Sequence, residues 1–160
     1  MRDLGPHISE PVDLVSSVFA LHHLETPNDL AACVGELPKF VRNGASLWLF
    51  DHARPRRLQT TDAFPGVFTP NADPAFCRDS SNSLKAAWSY DELSTALRTA
   101  GVLAINSAKA RVLPFYQIHW LGAARRWEDD EWVPSDDLSR QAQSEAWRFA
   151  RLFQSAPGGT

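Results

Sequence analysis

Two short clusters of ionisable side chains carry most of the chemistry this sequence could perform. His22-His23 closes the run Val12-Asp13-Leu14-Val15-Ser16-Ser17-Val18-Phe19-Ala20-Leu21, and Asp51-His52 closes the run Ala45-Ser46-Leu47-Trp48-Leu49-Phe50. Histidine titrates near neutral pH, so a His beside an Asp can take a proton from an acid and pass it on. Each cluster also has a plainer reading. A His pair can begin a helix while one ring fills a packing position, and Asp readily bonds its own downstream backbone in a turn. Arg54, Arg56 and Arg57 could meet an anionic carboxylate or phosphate, although such a run is more often a solvated loop.

The elements around these clusters follow from hydrophobic spacing. The apolar, β-branched residues 11–18 read as a buried strand. Thr26, Pro27 and Asp29 then supply a helix cap, a first-turn proline and a capping-box partner. The helix is expected to run to about Asn43-Gly44 with Leu30, Val34, Leu37 and Val41 on one face, and Pro38 should kink it or end it early. Residues 45–51 read as a second strand. Strand, helix and strand form a parallel crossover unit, which places ligands at the carboxyl ends of its strands. Both ionisable clusters would face that crevice.

Residues 52–83 are polar and Pro-rich but contain Phe64, Phe68 and Phe76, so a structured loop or short helical lid is expected. Ser89 and Glu92 have capping-box spacing, Leu93, Ala96, Leu97 and Ala100 form an apolar face, and Gly101 supplies the stop. An antiparallel strand pair is expected near 102–108 and 111–121, beginning at Val102–Ile105, with Trp120 in its packed face. From Arg125 the chain is strongly charged, and a last helix is expected from about Ser135 to Gln154.

Composition bounds the class. Of 160 residues, 44% are apolar and 22% charged, which suits one globular domain with a sizeable core. A net charge of −3 argues against nonspecific nucleic-acid binding. Cys33 and Cys77 lack metal-ligand spacing, and Cys33 should be a small buried hydrophobe. No metal site is expected. No apolar stretch is long enough to span a bilayer and no signal peptide is seen, so the expected compartment is the cytoplasm.

The order of these pieces resembles the second half of a class I S-adenosylmethionine-dependent methyltransferase domain of the kind acting on small molecules and quinones. In that family a strand reading D-x-V-x-S-x-F-A-L-H-H-L precedes a helix, a turn like R-P-G-G and a strand ending in Asp. Here Asp13, Val15, Ser17, Phe19, Ala20, Leu21, His22, His23 and Leu24 stand in that order, followed by Val41-Arg42-Asn43-Gly44 and the run ending at Asp51. Asn82–Trp88, Ser89–Leu93 and Ala100-Gly101-Val102 are similar to the family's approach to its late helix, that helix, and the entry to its sixth strand. The likeness covers roughly residues 3 to 121.

The resemblance implies an α/β fold, a partial Rossmann-like sheet of parallel strands with an antiparallel terminal pair and flanking helices. Residues 1–124 would be the carboxyl-terminal half of the domain, and 125–160 a charged linker and helix. It implies S-adenosyl-L-methionine as cofactor, lined by Ser17, Val18 and Phe19, with Asp3 and Leu4 at the end of the family's third strand. A small-molecule methyl acceptor would meet His22, His23, Asp51 and His52 as candidate catalytic groups. The glycine-rich E/D-x-G-x-G turn and second-strand acid of the family lie upstream of the matched region, so a truncated methyltransferase is expected. The alternative is a non-catalytic interaction module, or a remnant working through a partner subunit. In the truncated domain, strand 11–18 would be an exposed edge prone to self-association.

Overall fold

The computed structural model describes residues 10, 12–110 and 115–122, with backbone alone over 40–45. Asp3, Leu4 and the 125–160 segment lie outside the described residues. The described chain runs β1 (Val12–Val18), a 3-10 turn (Leu21–His23), α1 (Pro27–Phe40), β2 (Val41–His52), α2 (Gln59–Phe68), α3 (Pro74–Ala86), α4 (Tyr90–Thr99), β3 (Asn106–Lys109) and β4 (Tyr116–Leu121). The four strands form one mixed sheet in the order β1-β2-β4-β3. β1 and β2 are parallel, with Ser16 beside Trp48 and Val18 beside Phe50. β4 pairs antiparallel with both β2 and β3. The protein therefore has the α/β fold its sequence implied, a parallel crossover extended by an antiparallel pair.

One face of the sheet carries the core. Leu47 and Leu49 of β2 meet Leu30, Val34 and Leu37 of α1 and Leu93 and Leu97 of α4, together with Leu21, Cys33, Trp88 and Val102. The helical spacing read from the sequence thus faces inward on both helices. Burying each such leucine contributes about 1.5–3 kcal/mol. Thr26 caps α1, its Oγ1 accepting from Asp29 N–H at 3.1 Å, and Ser89 and Glu92 close a full capping box at α4.

Several boundaries differ from expectation. α1 includes Pro38 and ends at Phe40, two residues after that proline and short of Asn43-Gly44, and β2 begins directly at Val41 rather than at 45. The extra strand residues are taken up by a register shift between Val12 and Leu14. Of the two forms expected for the 52–83 segment, loop or helical lid, it takes the helical one, as two helices joined where Ser81 Oγ donates to Thr61 O at 3.1 Å. Val102–Ile105 is not a strand. Its start is consumed in ending α4: Gly101, at φ +88, donates to Arg98 O, and Val102 N–H donates to Leu97 O, the 5→2 and 6→1 bonds of a glycine-terminated helix. Val102 then drops into the core while Leu103 is left exposed, and the strand starts at Asn106.

Candidate functional site

The carboxyl ends of β1 and β2 converge on the Asp51 carboxylate, which is 2% exposed. Oδ2 accepts from the backbone N–H of Leu21 at 2.7 Å and of His22 at 3.3 Å. Oδ1 accepts from His22 Nδ1 at 2.7 Å and from His52 N–H at 2.7 Å. One side chain at the end of β2 therefore ties down the 3-10 turn after β1 and its own following residue. A carboxylate only accepts, so the Asp51 bond holds the proton of a neutral His22 on Nδ1 and leaves Nε2 with the ring's lone pair.

The other imidazoles stand close by. His22 is buried; its ring lies 4.1 Å from that of the exposed His23 and 5.2 Å, edge-on, from that of His52. His52 packs against both Phe19 at 4.7 Å and Tyr116 at 5.6 Å, rings that also touch each other at 6.0 Å, and its buried Nδ1 has no hydrogen-bond partner among the described residues. Burial, then the neighbouring His22, hold the His52 pKa below the usual histidine range. Phe19 has φ +50, a left-handed conformation rare for a bulky residue and characteristic of sites where the fold over-determines the backbone. The turn lays the Phe19 ring against Phe50 as well, at 4.9 Å. Ser17 Oγ, two residues earlier on β1, is buried with no hydrogen-bond partner among the described residues.

The structure thus gathers His22, His23, Asp51 and His52 into one cluster, with Ser17, Val18 and Phe19 along its β1 rim. A surface hollow among Asp62, Cys77, Arg78 and Lys85 lies between α2 and α3, apart from that cluster. The expected lid sits beside the cluster: Phe64 and Phe68 of α2 pack on Phe115 at 4.9 and 6.1 Å, and Phe115 O accepts from Ala53 N–H. Arg54 is engaged by Glu92, with Nη2 2.5 Å from both carboxylate oxygens. Arg56 and Arg57 are exposed. Among the described residues no group of three His, Cys, Asp or Glu side chains is placed to hold a metal ion.

A second polar group went unread in the sequence. The inward face of β4 carries Gln117 and His119, both 0% exposed, while Trp120 lies on the opposite face and is only half-buried. Gln117 Nε2 donates to the carbonyls of His52 and Trp88 at 2.8 Å each. Its Oε1 must then accept, so His119 Nε2 donates to it at 3.1 Å and Ser107 Oγ donates to His119 Nδ1 at 2.7 Å. Burial lowers the His119 pKa to about 4, in keeping with that neutral ring. Trp88 Nε1 completes the link by donating to Leu21 O at 2.9 Å. The available signal was the alternation of Gln117 and His119 with Tyr116, Ile118 and Trp120, which assigns the aromatics inward when the polar pair is there instead.

No model of a known protein family matches the chain, and no curated protein does. Among solved structures, a putative O-methyltransferase from Nostoc punctiforme PCC 73102 is similar, with 14% identity and a TM-score of 0.47, over 71% of this chain and 32% of that one. The chain spans about a third of that protein's length. At that score and identity the likeness assigns neither family nor activity. No described helix is long and apolar enough to cross a membrane.

Proposed function

We propose that this chain is the acceptor-side half of an S-adenosyl-L-methionine-dependent methyltransferase acting on a small molecule. The observation that carries the reading is the Asp51 carboxylate holding His22 Nδ1 at 2.7 Å where two parallel strands end, the place such folds put a reacting group. Oriented in this way, His22 Nε2 is the atom that takes a proton from the acceptor. The adjacent, exposed His23 ring gives that proton a way to solvent, and Phe19 and Tyr116 provide apolar walls. The cofactor, when bound, supplies an electrophilic methyl group.

The described residues fit only one edge of that cofactor. The orphaned Ser17 hydroxyl and the backbone turn at Val18-Phe19 offer polar partners for its amino-acid end, whereas no described residue forms a glycine turn or an acid positioned for its ribose. The remaining grip must come from a segment carrying the E/D-x-G-x-G pattern. Calorimetry with S-adenosylhomocysteine tests this. The 160-residue chain alone should bind more weakly than micromolar, a binding free energy of about −8 kcal/mol, and the chain joined to such a segment should bind at micromolar or below. Absence of binding by the joined protein would refute the proposal. In that joined protein His22→Ala should lower turnover with little change in cofactor binding.

A second reading, a non-catalytic module that works through protein contacts, is favoured by one observation. Among the described residues β1 is an edge strand, with Leu14 57% and Val18 49% exposed.

A further inference from the structure

Among the described residues β1 has a single neighbour, β2, so one side of this seven-residue strand has no described partner. Phe19 N–H donates to Phe50 O across to β2 at 2.9 Å. Backbone groups alternate sides along a strand, so the odd-numbered residues of β1 face β2. Those of Leu14, Ser16 and Val18 face the open edge. The side chains alternate as well. Leu14, Ser16 and Val18 share the sheet face of Trp48 and Phe50, their register partners or neighbours on β2. Asp13, Val15 and Ser17 share the face of Leu47 and Leu49.

We propose that this edge pairs with the same edge of a second copy of the chain, antiparallel and two-fold symmetric about Val15. Three features of the strand select that arrangement. Symmetry about Val15 brings all seven residues into register, Val12 opposite Val18 and Leu14 opposite Ser16 of the partner copy. It joins the edge-facing residues Leu14, Ser16 and Val18 to edge-facing residues, so each makes hydrogen-bonded pairs, while Val15 opposes Val15 in the closer, non-hydrogen-bonded type. It also sets Asp13, the strand's only charge, opposite Ser17. There the carboxylate offers an acceptor to a hydroxyl that has none among the described residues of its own chain, once that side chain turns toward the edge. A parallel in-register pairing would instead stack Asp13 on Asp13, which is destabilising. On the other face Leu14 gains Leu14 and Val18 of the second copy as diagonal neighbours, covering the two most exposed apolar residues of the strand. The interface is isologous and closed, and the four-stranded sheets become one of eight strands.

Sedimentation equilibrium of the full chain should give a species of twice 17.8 kDa at tens of micromolar. Leu14→Lys places a charge on the edge, and Ser16→Pro removes an edge-facing N–H without touching the bonds to β2. Both should return the 17.8 kDa monomer with an unchanged circular dichroism spectrum. A covalent test does not depend on those variants folding. In a Cys77→Ser background, with Cys33 buried, Val15→Cys should cross-link under mild oxidation at least ten times faster than Leu14→Cys or Ser16→Cys, because only residue 15 meets its own copy within disulfide reach. A monomeric wild type, or equal cross-linking at the three positions, would overturn the proposal.

Discussion

Replacing Asp51 separates what holds this site together from what it could do. Its two oxygens accept from Leu21 N, His22 N and His22 Nδ1 in a buried setting and from His52 N in a part-buried one. Asp51→Ala strands four donors. At about 1 kcal/mol for each lost bond the cost is about 4 kcal/mol, a large share of the 5–15 kcal/mol typical of a domain. Asp51→Asn keeps the shape and one accepting oxygen. With that oxygen on the Leu21 and His22 amides, the new NH2 faces His22 Nδ1 and His52 N–H. Only the His52 bond is then lost, for about 1–2 kcal/mol, provided that His22 moves its proton from Nδ1 to Nε2. Urea denaturation measures both costs, and imidazole 15N chemical shifts report the tautomer. An Asp51→Ala variant within about 1 kcal/mol of wild type, or an Asn variant whose His22 keeps its proton on Nδ1, would refute the reasoning. Asp51→Asn also occupies the nitrogen proposed as the base, so in the joined enzyme it should abolish turnover in a protein that still folds.

His119, neutral when folded with a pKa of about 4, has an ordinary value of about 6.5 when unfolded. Above pH 6.5 both states are neutral; between 6.5 and 4 only the unfolded chain takes up the proton. Stability should therefore fall with falling pH by up to about 3 kcal/mol across that window, with His52 adding in the same direction, and His119→Phe should flatten the slope seen by urea denaturation at pH 7 and 5. Ser89→Ala removes the hydroxyl that accepts from Glu92 N–H and should cost about 1 kcal/mol; an unchanged midpoint would contradict the cap. At Phe19, held at φ +50, Gly should be more stable than Ala by about 1 kcal/mol, since both lose the ring and only Ala resists the left-handed backbone. Equal midpoints for the two variants would show that the strain is absent.

The crossover unit was legible because its signals are local: the apolar run of β1, the Thr26–Asp29 cap, and the Leu30, Val34, Leu37 stripe all act within a few residues of one another. The convergence of His22 and Asp51 followed from that topology, with the bonding left open. Position alone weighed Asp51 as turn former and as site residue, and the structure gives it the turn bonds and the His22 contact together. What escaped depends on distant partners. The inward placement of Gln117 is affordable only because the carbonyls of His52 and Trp88 are there to receive its amide, and nothing near residue 117 in the sequence announces them. Val102–Ile105 reads as strand by composition, yet the glycine stop before it had already committed that backbone.

The strand order β1-β2-β4-β3 has a consequence for how the chain acquires its structure. β2 meets β1 across about 30 intervening residues but meets β4 only after about 70, with three helices between. Loop closure makes distant pairings slower to form than near ones. The β1-α1-β2 unit can thus assemble early and present an unfinished second edge on β2, along which Leu47, Leu49 and Asp51 wait for β4. The arrival of β4, sealed by Gln117 on the ends of β2 and of the α3–α4 link, is then the late step that turns a partly collapsed chain into a cooperative one.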